Sequence, residues 1–249
     1  MTKKKLHRSN KLVFNQALHK YYFEGKELLS VTNFIKTFDK EFNPLFASIG
    51  VAKSNTKKKK GITDARGIRK LWRLHGERKR CIGTAAHAFA EMRIMDRTVE
   101  PITGYDKAVI KALEALSKNW DIVGAEQRVY STTSYLAGTY DLKLKHKTTG
   151  VFAMVDWKVT EDMFKGYNKL KGVFKDLKAT ALVKYFIQLN IYALLDKDII
   201  NEDKLFVIQL KNDGTFNAYT IKDIARSVRD DVVKVIKSRV VDNHPLLNM

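Results

Sequence analysis

The chain has 249 residues, 45% of them hydrophobic, which is enough for one sizeable core or a core with an extension. It carries 46 Lys and Arg against 27 Asp and Glu, a formal charge of +19, and a single cysteine, Cys81. One cysteine excludes a disulfide scaffold, a cysteine-based zinc site and a four-cysteine iron–sulfur cluster, and no run approaches the ~20 apolar residues of a membrane span.

In chain order, Tyr21 to Phe23 and Leu28 to Thr32 flank Glu24-Gly25-Lys26 and read as a hairpin. Thr32 or Asn33 is expected to cap a short helix through Phe38. Ser54 to Gly61, with Lys57 to Lys60, reads as an exposed mobile loop that closes a basic N-terminal extension, residues 1–60. Residues 61–249 form the second unit. It opens with a helical stretch from Asp64 to about Met95, with breaks expected near Gly76 and Gly83. Arg69, Lys70, Arg73, Arg78, Lys79 and Arg80 cluster on this stretch and run toward His87, as a nucleic-acid contact or a solvated face. A helix follows from Asp106 to Lys118, then a strand from Ile122 to Tyr130 that carries Glu126. Glu126 lies between Ala125 and Gln127, so it could face solvent.

Gly138-Thr139-Tyr140-Asp141 lies on the next strand, and Val151 to Val155 leads straight into Asp156-Trp157-Lys158 on the one after it. Lys147 to Gly150 reads as the hairpin turn between them. Alternation places Asp156 and Lys158 on one face. Glu161 to Lys178 interleaves Phe164, Tyr167 and Phe174 with lysines. This segment is either a stacking surface for unpaired bases or an amphipathic helix that packs its aromatics inward. Lys184, Gln188 and Tyr192 recur one turn apart on a helix from about Thr180 to Leu195. Strands Lys204 to Leu210 and Phe216 to Thr220 precede a last helix, Lys222 to Val240, with Ile224, Val228, Val232, Val235 and Ile236 on one face. Cys81 is expected to be a small buried apolar residue.

Two carboxylates near an ammonium suit a hard divalent cation and phosphoryl chemistry, although a surface ion pair would look the same in sequence. The order of motifs adds to this: G-T-x-x-H at Gly83 to His87, the strand acid Glu126, G-x-x-D ending at Asp141, D-x-K at Asp156 to Lys158, and Q-x-x-x-Y at Gln188 to Tyr192. This order resembles the RecB-like branch of the PD-(D/E)XK nuclease superfamily, across roughly Ile82 to Leu195. The resemblance implies an α/β restriction-endonuclease-like core, with a mixed central sheet flanked by helices. It implies Mg²⁺ or Mn²⁺ held by Asp141, Asp156 and the carbonyl of Trp157, with His87 and Glu126 assisting. Lys158 would activate water and stabilise the transition state. Gln188 and Tyr192 would orient backbone phosphates and the lysine, and Lys184 extends their stripe toward bound nucleic acid. Tyr140 stands where many superfamily members have proline, which the RecB-like branch tolerates.

The charge distribution fits an acidic polymer as partner. Residues 1–80 hold 21 Lys and Arg against 6 Asp and Glu, and the remaining 169 hold 25 against 21. The expected activity is a metal-dependent deoxyribonuclease. It resembles small stand-alone exonucleases of phages or of mitochondrial genome maintenance, with DNA repair or recombination as the expected setting. A need for a free end and a preference for single strands are expected from the Gln188–Tyr192 pair, the aromatics Phe164, Tyr167 and Phe174 and the lack of a visible duplex-reading module. The alternatives are a sequence- or structure-specific endonuclease, and a non-catalytic nucleic-acid-binding protein on a decayed nuclease fold. The absence of an apolar stretch near Met1 and the single cysteine suggest a cytoplasmic, reducing setting, with a mitochondrial address the lesser alternative. No membrane partner is expected. Polarity, DNA against RNA, oligomeric state, pathway and host are open in the sequence.

Overall fold

The computed structural model describes residues 11–196, 198–199, 204–220 and 227–242, and these form an α/β fold on one mixed sheet. Strands β1 (Leu12–Asn15), β2 (Lys20–Phe23) and β3 (Lys26–Ser30) make an antiparallel meander. The β2–β3 turn has Glu24 and Gly25 both at positive φ, 49° and 80°, as a tight two-residue hairpin requires. Ser30 caps α1 (Val31–Lys36), its Oγ accepting from the Asn33 N–H at 3.2 Å, so the helix starts earlier than Thr32 or Asn33 would have set it.

The expected loop at Ser54 to Gly61 is in part helix, because α2 spans Pro44–Lys57. Asn43 accepts from the Leu45 and Phe46 N–H groups, Pro44 sits in the first turn, and lysine is a good helix former, so the lysine run does not stop the helix before Lys57. Helix α3 (Ala65–Met95) runs 31 residues without a break, roughly 46 Å at 1.5 Å per residue. The breaks expected at Gly76 and Gly83 do not occur. Each glycine costs about 1 kcal/mol, and the Asp64 cap plus the burial of Ala86, Phe89 and Ala90 against the sheet offset that. A reciprocal cap between Thr103 and Asp106 starts α4 (Gly104–Ser117).

Strands β4 (Trp120–Ser131), β5 (Leu136–His146) and β6 (Phe152–Lys158) follow as antiparallel neighbours. Helix α5 (Ala181–Leu195) carries the chain over, so that β7 (Leu205–Leu210) lies parallel to β6, with β8 (Phe216–Tyr219) antiparallel beyond it. Helix α6 (Ser227–Asp242) ends the described chain; the expected start of this helix at Lys222, and Ile224, lie outside the described residues. Of the two readings of Glu161 to Lys178, the amphipathic helix is absent. The segment is irregular apart from one 3-10 turn, Gly172–Phe174, and an isolated bridge between Lys169 and Lys178. Phe174 is fully buried while Phe164 and Tyr167 are exposed, 59% and 86%, so the three aromatics do not share one role.

Strand β5 is a fork. Along one side it pairs with β4 over its whole length. Along the other it pairs in parallel with β3 at Leu136 and Ala137, then antiparallel with β6 from Leu142 onward. The segment Gly138 to Asp141 lies between the two branches. Helices α1, α5 and α6 cover one face over Leu136, Tyr140, Met154 and Val207, and α3 and α4 cover the other over Leu142, Leu144, Val155 and Trp157. Each such side chain contributes about 1.5–3 kcal/mol on burial, and together they hold the fork between two packed layers. Among the described residues, no helix is long and apolar enough to cross a membrane. Cys81 is exposed, against the expectation of burial.

Candidate functional site

Asp141 is the last β5 residue before β6 joins, and it is 6% exposed. Its Oδ2 accepts from the Trp157 N–H at 2.5 Å, and its Oδ1 lies 2.9 Å from His87 Nδ1. The other ring nitrogen, Nε2, lies 3.1 Å from the Trp157 carbonyl oxygen. Both ring nitrogens thus face oxygen acceptors, and only the imidazolium donates from both. Burial opposes that charge, but the charge and hydrogen bond of Asp141 outweigh it and push the His87 pKa up to about 9. Asp141 also resists burial, and is held below the usual carboxylate range by His87, Lys158 and the Trp157 N–H.

Glu126 completes a group with His87 and Asp141, in which one ligand atom from each lies within 4.8 Å of the others. It reaches the group through an irregular strand. Its φ is +48°, in the left-handed region that costs a non-glycine residue roughly 1 kcal/mol. The β4–β5 ladder passes from Ala125–Leu142 to Gln127–Tyr140 around it. The pleat changes face there: Tyr140 packs in the α5-side core and Leu142 in the α3-side core, although they are two residues apart. Burial first, then the charge of Asp141, pushes the Glu126 pKa up to about 7.

Asp156 and Lys158 lie on the face of β6 that looks toward α5, as alternation requires, and their side chains touch as an ion pair. Burial pushes the Asp156 pKa up to about 6; Lys158 opposes the shift and Asp141 adds to it. Burial would lower the Lys158 pKa, but the two aspartates more than compensate and keep it charged. The motif order makes Asp141 and Asp156 the main acids, with His87 and Glu126 assisting. In the structure ligand atoms of Asp141, Glu126 and His87 lie within 4.8 Å of one another, and Asp156 pairs with Lys158 while its charge also acts on Glu126 and His87.

Two supporting residues escaped the sequence reading. Tyr185 puts its ring 4.9 Å from Lys158 Nζ, and its hydroxyl lies 2.5 Å from Thr160 Oγ1. Its position three residues before Gln188 was the available signal. Gln209, opposite Lys158 in the β6–β7 ladder, donates to the Thr160 and Glu161 carbonyls at 2.6 and 3.0 Å and fixes the chain beyond Lys158. No short-range pattern marks it.

Gln188 and Tyr192 are buried, and Gln188 Nε2 donates to the Tyr192 hydroxyl at 3.0 Å. Their stripe packs against the fork rather than facing solvent: a Cβ on Gly138 would stand 2.2 Å from Tyr192 Cε1. Lys184 is half-buried and paired with Asp39 at 3.3 Å. In the α3 cluster, Lys70, Arg73, Arg78, Lys79 and Arg80 are exposed. Arg69 differs: it donates to Ser48 Oγ at 2.7 Å and ties α3 to α2. Arg73 lies 3.9 Å from Glu77, and Lys79 3.7 Å from Glu161.

Carboxylate oxygens of Asp141 and Glu126 and one His87 ring nitrogen lie within 4.8 Å of one another, a group that could hold a metal ion once His87 is neutral, and the Trp157 carbonyl oxygen lies 3.1 Å from His87 Nε2. No protein-family model matches the chain, and a search of curated proteins finds no match.

Proposed function

We propose that the chain is a metal-dependent nuclease that hydrolyses DNA phosphodiester bonds on a core of the PD-(D/E)XK type. The observation that carries this reading is the meeting of His87, Glu126 and Asp141 with the Asp156–Lys158 pair at the fork of β5. Asp141, Glu126, His87 and the Trp157 carbonyl would hold Mg²⁺ or Mn²⁺. Such a cation supplies a water of lowered pKa and offsets charge on a phosphodiester. Lys158, kept charged by Asp156 and steadied over the Tyr185 ring, is a preorganised donor for charge that develops on the reacting phosphate. Gln188 and Tyr192 back the fork and fix its shape. The exposed cations of α3 supply a track for the phosphate backbone. We assign the activity to an exonuclease that takes a free single-stranded end, which the Gln188–Tyr192 resemblance and the exposed Tyr167 support.

One observation favours a second reading, a non-catalytic DNA-binding protein: Asp156 stands outside the group of three and engages Lys158. One experiment separates the two. End-labelled linear and covalently closed single-stranded DNA, and duplex DNA, are incubated with Mg²⁺, Mn²⁺ or EDTA. Linear single strands should be shortened only with a divalent cation, while circles survive. Asp141→Asn and Lys158→Ala should each lower the rate by about 10²–10³. Equal degradation in EDTA, or full activity in Asp141→Asn protein, overturns the assignment; binding without any degradation favours the second reading.

A further inference from the structure

We propose that the groove between the α1–α2 connection and the segment 165–171 seats an unpaired DNA strand beside the centre at the fork. This deepens the nuclease reading by naming the strand's path. The groove has a volume of about 650 Å³, within the ~300–1,000 Å³ range of ligand-sized sites. Lys36 and Lys40 line one wall, Lys165 and Lys171 the other, and Lys184 closes the end nearest α5. Two acids, Asp39 and Glu41, also line it, and Asp39 is already engaged by Lys184 at 3.3 Å. The walls therefore keep an excess of cations for phosphates.

The same groove exposes two aromatic rings, Phe42 at 66% and Tyr167 at 86%. Phe42 lies 5.9 Å from the Trp72 ring, and Lys165 Nζ lies 5.8 Å from the Tyr167 ring. The Lys171 N–H donates to the Phe38 carbonyl at 2.8 Å, and Phe38 packs edge-on against the buried Phe174 at 4.9 Å. The segment thus spends Phe174 on the core and leaves Tyr167 outside. Aromatic faces beside lysines suit bases whose own faces are free, which a duplex does not offer. The groove also leads to the centre. Lys184 is one helical turn from Gln188, and its neighbour Tyr185 touches Lys158.

The test is equilibrium binding in EDTA, so that it does not depend on hydrolysis. Fluorescent oligothymidylate and a duplex of equal length are titrated with the full chain. The Phe42→Ala/Tyr167→Ala variant should bind oligothymidylate about tenfold or more weakly, since stacking is worth about 1–3 kcal/mol per base. Duplex binding should not change, and Tyr167→Phe, which keeps the ring, should bind like the parent. Both rings are exposed, and an unchanged melting temperature checks that the variant is folded. Unchanged oligothymidylate affinity, or an equal loss for the duplex, overturns the proposal. Tighter binding of oligouridylate than of oligothymidylate overturns the assignment to DNA, and competition by polyglutamate as effective as by oligothymidylate overturns the assignment to a nucleic acid. A groove that binds as expected in a protein that never hydrolyses DNA would sink the nuclease reading and leave the strand site standing.

Discussion

Two helices bring side chains to the fork, and their surroundings differ. Nearly every residue of α5 from Leu182 to Ala193 is buried, Gln188, Asn190 and Tyr192 included. The first half of α3 is steadied by α2, through Arg69 and Ser48, and exposes Lys70, Arg73 and Arg78. Only from Ala86 onward does α3 settle on the sheet, where it delivers His87. On α5 a side chain is fixed by what surrounds it, so a change there acts on the whole fold. On the outer part of α3 a change acts on what the helix meets in solution.

The largest test of this contrast is Gly138→Ala. The new Cβ would stand 2.2 Å from Tyr192 Cε1, in a ring that is buried and hydrogen-bonded. We expect a loss of about 3 kcal/mol, the upper part of the overpacking range, read as a lowered urea midpoint. An unchanged midpoint would show that α5 yields. The second test uses protons on the α3 side. His87, with a pKa of about 9, and Glu126, at about 7, must both lose a proton to become ligands. Mn²⁺ affinity should therefore rise with pH, by up to about tenfold per unit while one proton is displaced, and level off above about 9. Calorimetry in buffers of different ionisation enthalpy counts the protons. His87→Gln should remove the part of the dependence above about pH 7, and a flat profile in the parent would break the idea.

Tyr192→Phe comes third. It removes the acceptor of the Gln188 amide and leaves a buried donor without its partner, at a cost of about 1–2 kcal/mol. Denaturant titration beside the parent measures this directly. The smallest effect carries the opposite sign. Gly76→Ala on α3 places its Cβ in open space, with nothing within 4 Å. It should stabilise the protein by about 0.5–1 kcal/mol through helix propensity. A drop in melting temperature would mean that this part of α3 is packed after all.

What the sequence made legible follows local chemistry. The hairpin at Glu24–Gly25, the turn from Lys147 to Gly150 and the α5 stretch each depend on residues within one turn or strand of each other, and all three are present. The facing of Asp156 and Lys158 also followed from alternation. What escaped depends on distant partners. The lysines that end α2 looked like a loop because the cap at Asn43 lies far upstream. Glu126 gave no sign of a positive φ, because glutamate does not favour one and the fork imposes it. Tyr185 and Gln209 come from elements separate from β6 and reach its end only through tertiary packing. Arg69 looked like its basic neighbours, and only Ser48 across the helix pair sets it apart.

The distortion of β4 has an effect on how copies of the chain behave toward one another. Among the described residues β4 pairs only with β5, so its outer side is a free edge of 12 residues, long enough to template pairing with another molecule. The register shift between Ile122 and Gly124 and the left-handed Glu126 interrupt that edge. An incoming strand could align with only a few consecutive N–H and C=O groups before losing step. The irregularity that turns Glu126 toward Asp141 therefore also protects the protein from edge-to-edge aggregation. Any redesign that regularised β4 would trade colloidal stability for a straighter sheet.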